Sequence, residues 1–469
     1  MNRRFLLILL VAWAGWLGVR PAAGDEARIL ADIKAFFATT DADEREALAQ
    51  RIEADEAFSR EKMSGWLHAA VPFEDLSPGQ RTIHVEIGPG QTRDVVLRIP
   101  PGYDPHRAWP LIYALHGAGG RGEHIIAYVE HVLGDKVDEY VIAAPTNYRE
   151  HIIHSVQCVV EHPVLLHAVK KAVNVDSNCV FLLGYSLGGH TAWTAGVLYA
   201  DQFAGVVPLA GTFHLFEVDG LWDQFLPNLA HTPVLCAWGA GDVHGPDGQT
   251  VSPQGGIAGL NRQVCELARK LSLPVIGHEY PDRGHGDVDP PPEEFAKLLA
   301  HRREAAPREV AHRFRDIRQG RTFWLEGHVW TGPQWTDKLP TVRLREGEDP
   351  NKPDDVRAAL LRTARALLAE LRGTIDGQKV NVHRKGVREL TIWFTEGMID
   401  WSQPVTVRVS GRDVFEGELH PDVFVCLAQA ARTRDFDCLR WAGLRFRSGS
   451  RTRPVTGRTE FPEPSPPKP

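Results

Sequence analysis

The sequence predicts an α/β protein with an eight-stranded, mostly parallel sheet, followed by a smaller β-rich, sandwich-like domain. Three observations predict it. Six apolar runs without polar alternation fill the middle of the chain: Leu111–Leu115, Tyr140–Ala144, Val180–Leu183, Gly205–Leu209, Val234–Trp238 and Val275–Tyr280. Such runs suit strands buried on both faces of a parallel sheet. Helix-length stretches alternate with them: Gly122–Leu133, His162–Val173, Gly189–Ala200, Leu260–Leu271 and Pro292–Arg302. That rhythm implies an open sheet with right-handed crossovers. Past Arg302 the rhythm stops and short alternating segments take over, as in an all-β unit.

The elements follow in order along 469 residues, a length that predicts two or three units. Arg3 and Arg4 precede the apolar run Phe5–Leu17 and the small residues Ala22-Ala23-Gly24. Residues 1–24 therefore read as a signal peptide, and the protein is expected to be exported, periplasmic or extracellular. No later run has the length of a membrane span, so none is expected in the mature protein. Residues 25–75 form a helical segment: Ile29, Ile33, Phe36 and Phe37 recur at helical spacing, as in a helical hairpin before the main domain. Residues 76–302 form that main domain. It opens on Arg81–Ile87 and Thr92–Ile99, a hairpin turning at Gly88-Pro89-Gly90, which brings the strand count to eight.

Residues 303–447 form the β-rich unit. Phe323–Val329, Thr341–Arg345, Lys379–His383, Leu390–Phe394, Val405–Val409 and Val414–Leu419 read as strands, with Gly411-Arg412 at a turn. Pro353–Leu371 reads as a helix, with Gly373 just past its end. This unit is expected to fold alone and to be dispensable for chemistry. Residues 448–469 are Ser, Arg, Thr and Pro-rich and are expected to be a disordered tail.

Composition narrows the function. The chain is 43% hydrophobic and 24% charged, which excludes a disordered or polytopic membrane protein. A net charge of −7 provides no global basic field for nucleic acid.

The chemical signal is Gly184-Tyr185-Ser186-Leu187-Gly188-Gly189-His190. A G-x-S-x-G between a buried strand and a helix is a nucleophile elbow, with the serine exposed on a strained turn and bulk excluded two positions either side. A serine needs a base, and the base an orienting acid. The acid is expected after the strand Val234–Trp238, where Asp242 stands, with Asp247 in the same loop as second candidate. The base is expected after Val275–Tyr280, where His285 stands between Gly284 and Gly286. The flanking glycines are expected to free its imidazole, and His278, inside the strand, reads as a packed residue. Two backbone donors should hold a developing oxyanion. One is the N–H of Leu187; the other is Ala118 or Gly117, in the loop His116-Gly117-Ala118-Gly119-Gly120.

With Pro100-Pro101-Gly102-Tyr103, Phe203-Ala204-Gly205 and Ala210-Gly211 added to these motifs, residues 81–302 resemble the α/β-hydrolase superfamily. More narrowly they resemble secreted esterases of the polyhydroxybutyrate-depolymerase, feruloyl-esterase and dienelactone-hydrolase-like group. The resemblance implies a Ser–Asp–His acyl-transfer mechanism, no cofactor and an ester substrate. The short span from Ser186 to Asp242 leaves no room for a large lid, which suits esters carried on large or polymeric substrates. Two rivals are a peptidase resembling the prolyl-oligopeptidase group and a non-catalytic exported binding protein on the same scaffold.

Other constellations are weaker. His151, His154, Cys158 and His162 have spacings compatible with zinc, although spaced histidines often only pack or cap. Cys179 and Cys236 read as buried thiols, while Cys426 and Cys438 could pair in an oxidising compartment. Trp393, Trp401 and Trp441 could form a sugar platform, but core packing is the preferred reading.

Overall fold

The structure is a computed structural model that describes residues 23–146, 156–213, 221–245, 249–251, 254–331 and 341–455. Residues 1–22 of the expected signal peptide and residues 456–469 of the expected tail lie outside the described residues, as does Asp247. Residues 448–455, expected to belong to the disordered tail, instead hold the short strand Arg453–Pro454, paired with Leu444 and Arg445, and a buried Val455.

Among the described residues three α-helices come first: α1 (Ala23–Ala38), α2 (Ala42–Ala54) and α3 (Met63–Ala70). Asp41 caps α2 by accepting from the Glu44 N–H, one of the donors a helix start leaves without a partner. The main sheet then runs through β1 (Gly79–Gly88), β2 (Gln91–Ile99), β3 (Trp109–Leu115), α4 (Gly122–Leu133), β4 (Val141–Thr146) and α5 (Val156–Ala172). It continues through β5 (Val175–Tyr185), α6 (Leu187–Leu198), β6 (Gly205–Leu209), α7 (Trp222–Phe225), β7 (Val234–Gly239), α8 (Ile257–Lys270), β8 (Val275–Tyr280) and α9 (Pro292–Leu299). Its order is β1-β2-β4-β3-β5-β6-β7-β8. Only β2 runs against its neighbours. This large, mostly parallel sheet fits the α/β-hydrolase expectation.

The strand order reverses between β3 and β5, which lie side by side with Leu115 opposite Gly184. In open α/β sheets the crevice beyond the strand ends at such a reversal is where ligands sit. The loop after β3 carries His116 to Gly120, and the turn after β5 carries Ser186.

Beyond α9 come β9 (Glu309–Phe314), β10 (Arg321–Thr322), β11 (Leu325–Trp330), α10 (Pro353–Leu367), β12 (Ala369–Asp376), β13 (Lys379–Lys385) and β14 (Val387–Thr395). They are followed by β15 (Val405–Val409), β16 (Arg412–Gly417), α11 (Val423–Thr433), β17 (Arg440–Arg447) and β18 (Arg453–Pro454). These build two five-stranded sheets, β10-β11-β14-β17-β18 and β16-β15-β13-β12-β9. Residues of both, among them Phe314, Leu325, Leu371, Val382, Ile392 and Leu444, share one apolar cluster.

Several expectations change here. Thr341–Arg345 is not a strand: Val342 and Leu344 are half-buried in alternation, but no ladder forms. The helix from Pro353 ends at Leu367, not Leu371, because Leu368 turns extended and leads into β12. Gly373 is therefore no helix cap. It lies inside β12, where a Cβ would stand 2.1 Å from Cη2 of the buried Trp324. Strands β9, β10, β12, β17 and β18 and helix α11 were not foreseen.

The N-terminal helices do not simply precede the main domain. Ile29, Ile33, Phe36, Ile52, Trp66 and Leu67 share one core with Val423, Cys426, Leu427 and Trp441 from α11 and β17. The β-rich region also locks onto the main sheet. Arg303 and Asp435 form a 2.9 Å ion pair with both side chains 4% exposed. Asp437 accepts from the Ser177 N–H at 2.7 Å. Ala364 and Leu368, at the end of α10, join the core beneath the main sheet. The expected independence of this region therefore gives way to shared cores.

Cys426 and Cys438 are free thiols, not a pair: Cys426 faces the N-terminal helices and the Cys438 thiol donates to the Ala305 carbonyl at 3.5 Å. Trp393 and Trp441 are buried in separate clusters and Arg60 covers Trp401, so the three make no shared platform. Of the proposed zinc set, His162 is buried and hydrogen-bonded to the Tyr113 hydroxyl at 3.0 Å. The side chains of His151, His154 and Cys158 lie outside the described residues.

Candidate active site

Ser186 occupies the turn from β5 into α6 with φ 55° and ψ −116°, a conformation unusual for a residue with a Cβ. Its backbone is clamped: its N–H donates to the Leu209 carbonyl at 2.8 Å and its carbonyl accepts from the His190 N–H at 3.0 Å. The turn closes only because its glycines are bare. A Cβ on Gly184 would lie 2.0 Å from the Gly188 oxygen, and one on Gly188 would lie 2.1 Å from the Leu115 oxygen. The expectation that bulk is excluded two residues either side of Ser186 therefore holds.

The three side chains singled out in the sequence come together. Ser186 Oγ lies 2.7 Å from His285 Nε2. His285 Nδ1 lies 2.7 Å from Asp242 Oδ2. An acceptor carboxylate at Nδ1 keeps the proton on that nitrogen and leaves Nε2 to accept from the serine hydroxyl. Asp242 follows β7 and has no exposed surface. Burial alone would raise its pKa, yet hydrogen bonds from His285 and then His244 hold it below the ordinary carboxylate value.

The loops carrying the acid and the base pack against each other. The Gly241 N–H donates to the Arg283 carbonyl at 3.0 Å, and a Cβ on Gly239 would sit 2.1 Å from the Gly284 oxygen. Tyr185 donates from its hydroxyl to the His285 carbonyl at 3.0 Å, tying the base's backbone to the elbow itself. Gly284 and Gly286 were expected to make room for the imidazole, but a Cβ on either would meet nothing within 4 Å. His278 sits on the edge strand β8 and packs its ring on Tyr280.

The loop after β3 lies against the serine. A Cβ on Gly117 would be 3.2 Å from Ser186 Cβ. The Gly117 carbonyl is turned into the loop, accepting from the Gly120 N–H at 3.1 Å and bonding His116 Nδ1 at 2.7 Å. Ala118 is exposed at the tip. Leu187 is the first residue of α6, where N–H groups have no intrahelical acceptor.

Sequence reasoning missed His244 and Tyr185. Tyr185 stands in the serine motif, one residue before Ser186, and His244 lies in the acid's loop, two residues after Asp242. Among the described residues, Asp242, His244 and His285 bring one ligand-type atom each within 4.8 Å of one another. Their contacts here are imidazole N–H groups on carboxylate oxygens.

No family model matches the sequence, and no curated protein matches it. Among solved structures the chain is similar to a thermostable esterase, with 19% identity and a TM-score of 0.36 over 48% of this chain. That match spans 63% of the esterase, less than two thirds of its length. It is also similar to a feruloyl esterase module from Clostridium thermocellum, with 17% identity and a TM-score of 0.33, covering 46% of this chain and 87% of that one. A third likeness is to Porphyromonas gingivalis dipeptidyl peptidase 4, with 14% identity and a TM-score of 0.35, covering 48% of this chain and 35% of that one.

Proposed function

We propose that this chain is an exported serine hydrolase that cleaves carboxylic esters through an acyl-enzyme. The observation that carries the reading is the unbroken relay of two 2.7 Å hydrogen bonds from Ser186 through His285 to a buried Asp242. His285 takes the hydroxyl proton as Ser186 attacks the ester carbonyl. Asp242 stabilises the imidazolium that results. The N–H of Leu187, at the positive end of α6, and an N–H of the Gly117–Ala118 turn receive the oxyanion. His285 then protonates the leaving alcohol, and water attacks the acyl group by the reverse path. The substrate class suggested is an ester on a large or polymeric carrier, with the β-rich region holding that carrier.

The test is labelling with a fluorophosphonate, followed by turnover of a nitrophenyl ester beside a peptide amide. The expected result is one adduct on Ser186, lost in Ser186→Ala, with the ester turned over much faster than the amide. No adduct on Ser186 returns the chain to the binding-protein reading, and preferred cleavage of the amide makes it a peptidase.

A further inference from the structure

We propose that His244 is a positioning residue, which grips the second oxygen of Asp242 and so sets the angle at which that carboxylate meets His285. The proposal rests on the reading of Ser186, Asp242 and His285 as one reacting group, and adds a member to it.

The argument begins with the carboxylate. Asp242 has two oxygens and no contact with water. A buried carboxylate needs donors on both oxygens, because neither can be solvated. Oδ2 is taken by His285 Nδ1 at 2.7 Å. Oδ1 is taken twice by His244, from its backbone N–H at 3.2 Å and from its Nδ1 at 3.0 Å. The backbone bond is ordinary for an Asp two residues upstream, and any residue but proline could supply it. The imidazole bond requires this side chain. The two imidazoles therefore hold one carboxylate from its two sides, their rings 4.9 Å apart and inclined by 52°.

His244 is itself fixed by the fold. Its carbonyl accepts from the Ile257 N–H at 2.8 Å, and the Asp242 carbonyl accepts from the Ala258 N–H at 3.1 Å, so both are anchored to the start of α8. An isolated β-bridge joins His244 to Thr250. With the backbone held on both sides, Nδ1 is aimed at Asp242 while the ring's other edge is open, the side chain being 43% exposed. Without the Nδ1 donor, Oδ1 keeps only its 3.2 Å backbone bond, and the carboxylate is freer to swing about its Cβ–Cγ axis. His285, one-third exposed, has that carboxylate as its side-chain anchor on the Nδ1 side. Small misplacements of a reacting group cost much of its rate.

The test compares His244→Leu, similar in bulk and without a donor, with His244→Asn, whose amide nitrogen can stand where Nδ1 stands. His244→Leu is expected to lower kcat by about 10- to 100-fold, the range for losing a hydrogen bond to a charged group, with KM for a small ester unchanged. His244→Asn recovers most of that loss. His244→Ala, smaller and also without a donor, behaves as His244→Leu does. The low-field proton of His285 Nδ1, read by NMR without substrate, is sharp in the wild type and His244→Asn and broadened or shifted in His244→Leu. Equal kcat in the Leu and Asn variants, whether normal or low, overturns the proposal, as does an unchanged low-field proton in His244→Leu. Failure of the hydrolase reading appears separately, as a wild-type Ser186 that takes no fluorophosphonate, and the proton resonance reports on Asp242 in either case.

Discussion

Asp242 is where charge, burial and hydrogen bonding meet most tightly, so a single atom exchanged there has a definite effect. In Asp242→Asn one carboxylate oxygen becomes an NH2. His244 presents two N–H donors to one side of the group, so the amide oxygen settles there and the NH2 turns towards His285. His285 must then accept at Nδ1 and carry its proton on Nε2, pointing at a serine it should deprotonate. Ester turnover by Asp242→Asn is expected to fall on the order of 10⁴-fold, as for the matching change in serine proteases, while the fold survives. A loss below tenfold in kcat would remove Asp242 from the relay. The three relay residues were legible in the sequence because each sits at the end of a recognisable apolar strand. His244 was not, because a histidine in an irregular loop has no periodicity and its role exists only once β7, β8 and α8 bring it to the carboxylate.

Helix α5 carries two histidines whose imidazoles are both lowered to about 4. His162 is lowered by burial alone, and His167 by burial and then by Arg434 and the neighbouring lysines. Their folded pKa lies below the unfolded value of about 6.5. As pH falls the unfolded chain takes up these protons first, so the stabilising contribution is whole above about 6.5 and is lost towards 4. Each group steepens the loss by about 1.4 kcal/mol per pH unit inside that window. Denaturant midpoints should fall between pH 7 and pH 5, and His162→Gln should flatten the slope; equal slopes in the two proteins would show that His162 is not the group responsible. The elements themselves were legible wherever burial is two-sided: β3, β4, β6 and β7 are buried along almost their whole length and announce themselves, whereas the edge strand β8 is only half-buried, with Ile276 exposed. The later elements were harder. Helix α10 passes into β12 with one residue between, and the apolar Leu368 and Leu371 suit either state. β9 alternates cleanly through Val310, His312 and Phe314, but a buried histidine and flanking charges hide it. The alternation of Thr341–Arg345 is real, yet alternation specifies a face and not a partner strand.

At the scale of the whole molecule, two cores join regions far apart in sequence. A chain ended near Ala306 would keep the Ser186 relay but lose α11, β17 and Asp435. The apolar faces of α1, α2 and α3 would then lie open, and Arg303 would lose the carboxylate it pairs with. The shortened chain is expected to aggregate or to be inactive on small esters, and a soluble, fully active product would show that the regions fold apart. The seating of the first helices against the last strands also orders events in time. A chain made from its N-terminus exposes Ile33, Phe36 and Trp66 first and Trp441 almost last, so the helical segment has no apolar partner for nearly the whole of synthesis. Contacts of such long sequence separation form slowly. Until α11 and β17 are made, the apolar face of the first helices has no cover from this core, and a chain cut short of them leaves that surface bare.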